Sequence, residues 1–311
     1  IALTSKTLDT DIKSIKKAAR KGVGEELEKR VSKIIDDHQI SLDEKCRIIW
    51  KNNIIARLKK GNNYLNPEIE VLADDALDDN IKSKLEIFLK NWINTYVEET
   101  LSDLLNLNKE NVDNKYIRAL MFQLFENNGV LKREAVNDIV KSISTEERKK
   151  IWNLGIKIGR YHIYLPKMLK PKAVALRISL WRLFYQISIN QEIPRSGLNY
   201  LIDKKYDKNF LLLCGFEKFK NHYVRIDILE KLFIKILNKT EKRKFKIDSE
   251  MMNLLGCNKE DFYNLMLSMN YKKSKEVDTY YYTGETIRKN KFVKVDKNEN
   301  PFKKLLALNL K

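Results

Sequence analysis

From Arg148 to Gln191 the sequence contains no aspartate or glutamate, yet it carries Arg148, Lys149, Lys150, Lys157, Arg160, Lys167, Lys170, Lys172, Arg177 and Arg182. No other stretch of the chain is so one-sided in charge, and a run of unpaired cations resists burial. Trp152, Tyr161, Tyr164, Trp181, Phe184 and Tyr185 are interleaved with those cations. Such a pattern suits single-stranded nucleic acid, in which cations track phosphates and rings stack on bases. Pro166 and Pro171 bracket a turn or short helix, and Pro171 fits the first position of the next helix, roughly 171–188. That helix is apolar around most of its circumference, so Trp181 and Phe184 read as core, and Arg177 and Arg182 as structural cations with buried or half-buried partners. Lys157, Arg160, Lys167 and Lys170 stand beside turns marked by Gly155, Gly159, Pro166 and Pro171, and turn backbones lie at the surface. These four are the predicted phosphate contacts.

The whole chain shares this bias. Its 311 residues include 60 Lys+Arg against 42 Asp+Glu, a formal net charge of +18. A polyanion is the simplest partner for such a balance; a solvated Lys-rich surface is the bland alternative. Hydrophobic residues make up 43%, in dense periodic blocks, so the chain is globular and not disordered as a whole. Ten Gly and five Pro exclude collagen-like and Pro-rich classes. No apolar run approaches the roughly 18 residues of a membrane span, and the first residues lack the apolar stretch of a secretory signal. Cys46, Cys214 and Cys257 are odd in number and widely spaced, as for free thiols in a reducing, cytoplasmic setting. Ile1 in place of Met reads as the start of a fragment.

Catalytic signatures are missing from the sequence. It has no GxxxxGK[ST] phosphate loop, GxGxxG, HExxH, GxSxG or CxxC. Cys214 and His222 lack the further ligands that zinc requires. His162 reads as a packed or surface histidine, and Asp74, Asp75, Asp78 and Asp79 as the charged start of a helix. No catalytic or metal-binding residue is assigned.

The periodicities predict a mainly α (α+β) chain in four parts. Residues 1–78 form a helix, about 11–34, and a small β unit. Lys13, Lys17 and Arg20 on the helix face opposite Ile12, Ile15 and Ala19 are further candidate nucleic-acid contacts, or else a solvated face. A hairpin, 47–50 with 54–58, turns again at Gly61-Asn62-Asn63 into a strand over 68–72. Residues 79–190 form a helical domain containing the basic-aromatic segment, with helices near 81–105, 116–126 and 132–143. A fourth helix is opened by a Ser144-x-x-Glu147 capping box and ends near Gly155. Residues 191–285 form a winged-helix-like α+β module. It has a hairpin over 216–226, a helix over 228–237 behind an Asp227-x-x-Glu230 capping box, two short helices and a β wing. Its second short helix carries Glu260 and Asp261 with Lys259 alone as cation, so a protein-binding or architectural role fits better than groove reading. Residues 286–311 are expected to be a flexible basic tail.

Several motifs recur in one known family. Gly155, Gly159, the Tyr164-Leu165-Pro166 and Leu169-Lys170-Pro171 runs, then Leu176-Arg177 and Leu180-Trp181, carry the most specific match. Ile48-x-Trp50, Ala56-Arg57-Leu58, Leu72-Ala73-Asp74, Val224-Arg225-Ile226-Asp227, Leu255-Gly256-Cys257 and Asn300-Pro301-Phe302 with Leu305 follow the same order. The chain thus resembles the C-terminal part of bacterial superfamily-two helicases related to the mitochondrial degradosome RNA helicase. The resemblance implies an accessory, nucleic-acid-binding region of an ATP-dependent RNA or DNA helicase. ATP and Mg would be held by a motor core outside this chain. The implied partners are single-stranded RNA or DNA and a nuclease. Two alternatives remain: a non-enzymatic scaffold that recruits proteins, and a free-standing nucleic-acid-binding protein.

Overall fold

The computed structural model describes residues 13–37, 39–72, 78–110, 112–187, 191–202 and 206–283, and for residues 13–21 and 23 the backbone alone. Helix α1 (Lys13–Asp36) buries Leu27, Val31 and Ile34 at helical spacing. An antiparallel meander follows, of strands β1 (Ile40–Leu42), β2 (Arg47–Trp50), β3 (Asn53–Asn63) and β4 (Asn66–Val71) in sequential order. Lys51 and Asn52 take positive φ of 44° and 67° in the β2–β3 turn, the twist that a tight hairpin requires. The turn expected at Gly61 is absent, since β3 runs through to Asn63. A Cβ at Gly61 would lie 2.0 Å from the Asn66 carbonyl oxygen, so this glycine permits a close approach of neighbouring strands.

The helix expected over 81–105 is two helices, α2 (Asp79–Thr100) and α3 (Ser102–Lys109), broken at the buried Leu101. Asp78 caps α2 through the Asn80 N–H. Then come α4 (Lys115–Glu126), β5 (Val130–Lys132), a 3-10 turn (Arg133–Val136), α5 (Asn137–Lys141) and α6 (Thr145–Asn153). The expected helix 132–143 therefore begins as a strand and a 3-10 turn. The Ser144–Glu147 capping box is formed in full. The stretch after Gly155, read as turns, is a hairpin of β6 (Lys157–Ile158) and β7 (His162–Tyr164), and β7 lies between β5 and β6 in an antiparallel sheet. A 3-10 turn (Pro166–Leu169) leads to α7 (Pro171–Tyr185), which opens on Pro171 and ends on Gln186 in left-handed conformation. One apolar core reaches from Leu27 through Ile55, Leu89, Leu120 and Ile163 to Leu180. It crosses residue 78, so the small β unit and the helices after it are one body.

Strand β8 (Tyr200–Ile202) and the hairpin β9 (Phe216–Phe219) and β10 (His222–Arg225) form a further sheet, in the order β8-β10-β9, with helix α8 (Lys208–Leu213) between β8 and β9 in the chain. Helix α9 (Ile226–Asn238) follows directly. The chain divides into two compact units, Ile1–Glu230 and Lys231–Lys311. Beyond the last residues of α9, the second unit contains β11 (Lys244–Lys246), α10 (Ser249–Leu255), α11 (Lys259–Ser268), β12 (Tyr271–Lys273) and β13 (Thr279–Tyr282). Its sheet is antiparallel in the order β11-β13-β12. Phe245 meets Tyr271 edge to face at 5.4 Å and packs near Tyr280. Gly256 (φ +70°) closes α10, and Asn258 caps α11 through the Asp261 N–H. The tail 286–311 lies outside the described residues. Among the described residues helices predominate and several small antiparallel sheets accompany them, so the fold class is mixed α+β. Among the described residues no helix is long and apolar enough to cross a membrane.

Candidate nucleic-acid interface

Lys157 and Arg160 stand on the β6–β7 hairpin, and the side chains of both are exposed. That hairpin is fixed from within. Glu230 is buried, and its carboxylate accepts the main-chain N–H groups of Arg160 (2.6 Å), Tyr161 (2.8 Å) and His162 (3.0 Å). The Asp227-x-x-Glu230 capping box is therefore not formed: Glu230 reaches a different element, and Asp227 pairs with Arg225 at 2.6 Å. Gly159 is required by this arrangement, because a Cβ there would lie 2.3 Å from the Glu230 carboxyl carbon. Arg133 donates to the Gly159 carbonyl at 2.7 Å from the other side.

His162 is buried, as a packed histidine, with its Nε2 2.7 Å from Glu217. Lys132 donates to the other oxygen of Glu217. Burial pushes the Glu217 carboxyl up, but the bonds from His162 and Lys132 outweigh it and hold the group below the usual carboxylate range. Two further guanidiniums act on Arg133. The Arg133 pKa is lowered first by partial burial and then by the like charges of Arg160 and Arg148, with Glu230 opposing. Like charges held close together attract a polyanion, because each phosphate bound relieves the repulsion.

The other predicted contacts are placed differently. Lys167, on the 3-10 turn, is exposed but paired with Asp103 at 2.7 Å, which already offsets much of its charge. Lys170 precedes α7 and is exposed. Lys13, Lys17 and Arg20 lie on α1, and their side chains are outside the described residues. Arg177 is structural: fully buried, it donates to the carbonyls of Met168 (2.6 Å), Leu213 (3.2 Å) and Asn128, with no carboxylate partner. Burial lowers its pKa to about 10. Arg182 donates to the Gln191 carbonyl and lies over the Phe210 ring at 5.0 Å. Sequence reasoning missed the roles of Arg133 and Glu230. Arg133 precedes the acid-free segment and was absorbed into an expected helix, while Glu230 lies 70 residues from its partner Arg160.

A cavity of about 900 Å³ is lined by asparagines including Asn63, Asn94 and Asn128 with Phe125 and Tyr185, and by none of the predicted phosphate contacts. Among the described residues no three His, Cys, Asp or Glu side chains gather as a metal site. No family model, curated protein or solved structure matches the chain.

Proposed function

We propose that this chain is the C-terminal accessory region of an ATP-dependent RNA or DNA helicase, acting in the cytoplasm and binding single-stranded nucleic acid beside the motor. The observation that supports the binding reading is the buttressed β6–β7 hairpin with Lys157 and Arg160 exposed on it, near Arg133, whose pKa is lowered by partial burial and then by the like charges of Arg160 and Arg148. The helicase assignment rests on the motif resemblance. ATP and Mg belong, on that resemblance, to the motor core, and no residue here is assigned to either. For the second unit, the order α-β-α-α-β-β with the last strand central in its sheet supports a winged-helix module. Its α11 presents Glu260 and Asp261, and Val277 is 79% exposed on the β12–β13 connection. That surface favours a protein partner such as a nuclease for this module.

Fluorescence anisotropy of a labelled single-stranded RNA or DNA, titrated with the chain at several salt concentrations, tests the reading. Binding should weaken with salt with a log–log slope of about −0.7 for each neutralised phosphate. Absence of binding in low salt, or a slope near zero, would refute it.

A further inference from the structure

The first unit contains the same order of elements as the second. Residues 115–164 run α4-β5-α5-α6-β6-β7 with sheet order β5-β7-β6; residues 226–282 run α9-β11-α10-α11-β12-β13 with sheet order β11-β13-β12. All four strand pairings are antiparallel. Three landmarks keep a constant spacing of 114 residues: the first strand starts at 130 and 244, the cap of the third helix falls at 144 and 258, and the second strand starts at 157 and 271. Ser144 and Asn258 both hold the N–H three residues on. The resemblance in topology extends to spacing, capping and a first turn with two acids, Glu146 and Glu147 on α6 and Glu260 and Asp261 on α11, whereas the next turn differs: Arg148-Lys149-Lys150 on α6, Phe262-Tyr263-Asn264 on α11.

Helix α6, the counterpart of α11, buries Ile151 and turns the opposite side outward. Arg148 and Lys149 lie four and three residues before Trp152, one turn away on its face, and both are exposed. The Trp152 indole is itself 64% exposed, and Lys157 of the hairpin lies over it at 5.4 Å. An exposed indole flanked by three cations is an arrangement for stacking on an unpaired base while its phosphates are neutralised. On α11 the positions matching Arg148, Lys149 and Trp152 are Phe262, Tyr263 and Met266, of which Phe262 and Met266 are buried, and Lys259 is held by Asp278 at 3.1 Å.

We infer that residues 115–164 form a second winged-helix module, in which α6 and the β6–β7 wing contact single-stranded nucleic acid. Arg148, Lys149 and Lys157 pair with phosphates, and Trp152 stacks on a base. The inference rests on the nucleic-acid-binding reading above and assigns the contact to one face. The test uses the full chain with labelled single-stranded and duplex oligonucleotides, with melting curves as a check of fold. W152A should weaken single-strand binding roughly tenfold with an unchanged salt slope, and W152F should recover part of it. R148Q/K149Q should reduce the slope by about 1.4, two phosphates' worth. K272Q/K273Q, on the corresponding wing of the second unit, should bind as the unaltered chain does. Trp152 emission should be quenched on binding, and the quench should vanish in W152F. If the chain binds but W152A and R148Q/K149Q stay within twofold of it, or if duplex is preferred, this placement is wrong and the general reading survives. If the unaltered chain does not bind, both fall.

Discussion

Substituting Gly159 by alanine should disable the β6–β7 hairpin through Glu230. The new Cβ would stand 2.3 Å from the carboxyl carbon and 2.5 and 2.6 Å from its oxygens, where ordinary contact begins at 3.4 Å. The carboxylate must withdraw by about 1 Å, which breaks its bonds to the main chain. Arg160 is exposed, so water replaces that bond; the more interior N–H groups of Tyr161 and His162 set the loss. At about 1.5–3 kcal/mol for each of these two bonds to a charged group, G159A should destabilise the first unit by about 3–6 kcal/mol. Glu230→Ala removes the same bonds and should lose a similar amount. It also clears the space the new methyl needs, so adding G159A to E230A should have almost no further effect. Urea unfolding of the four proteins measures this coupling, and amide hydrogen exchange at Tyr161 and His162 localises it. Additivity within about 0.5 kcal/mol would refute the reasoning. Binding separates two causes. E230A raises the net charge by one, which by charge alone would tighten the grip on a polyanion. If the clamp fixes the cations in place, E230A should instead bind more weakly at an unchanged salt slope.

Arg177→Met should lower stability by about 3–5 kcal/mol, because three interior carbonyls lose a charged donor together; an unfolding free energy in urea changed by under ~0.5 kcal/mol would show that they find other partners. Burial pushes the Cys46 thiol up to about 11 and the Cys214 thiol up to about 12. At pH 8 the native chain should therefore resist alkylation at both while the urea-unfolded chain reacts fully, as read by mass spectrometry; rapid native labelling would contradict this burial. Glu217 is held below its ordinary value of 4.5, so its contribution is fully present above that pH and fades as pH falls through the lower folded value. Melting temperatures should thus drop on acidification below pH 4.5, and less steeply in Glu217→Gln; parallel acid limbs would show that Glu217 carries no such linkage.

What could be read in the sequence followed from local signals. The Ser144–Glu147 box, Pro171 at a helix start, and the hairpins beginning at Arg47 and Phe216 each depend on residues within a few positions of one another, and each is formed. Misreadings occurred where a distant partner decided the outcome. Gly61 looked like a turn because the strand it lets approach, at Asn66, is invisible to periodicity. The short strands β5, β6 and β7 carry no pattern of their own, having two or three residues each. They are strands because they pair with one another across the helices between them. The candidate site divided in the same way. Exposure of Lys157 and Arg160 followed from their glycines, whereas the Asp103 partner of Lys167 came from a helix 64 residues away.

The basic segment is free of carboxylates in sequence but not in space. Glu217 reaches it at His162 across 55 residues, and Glu230 at Arg160 across 70. Both are buried: Glu230 opposes the like charges of Arg160 and Arg148 at Arg133, whereas Glu217 is taken up by His162 and Lys132. A surface pair does the opposite, as Asp103 does at Lys167, where it competes with any phosphate for the same ammonium. Supplying the countercharge from a buried position lets several cations share one small region. A carboxylate that also fixes three main-chain N–H groups supplies position together with charge. The acids that fix this hairpin are therefore the ones a count of local charge leaves out.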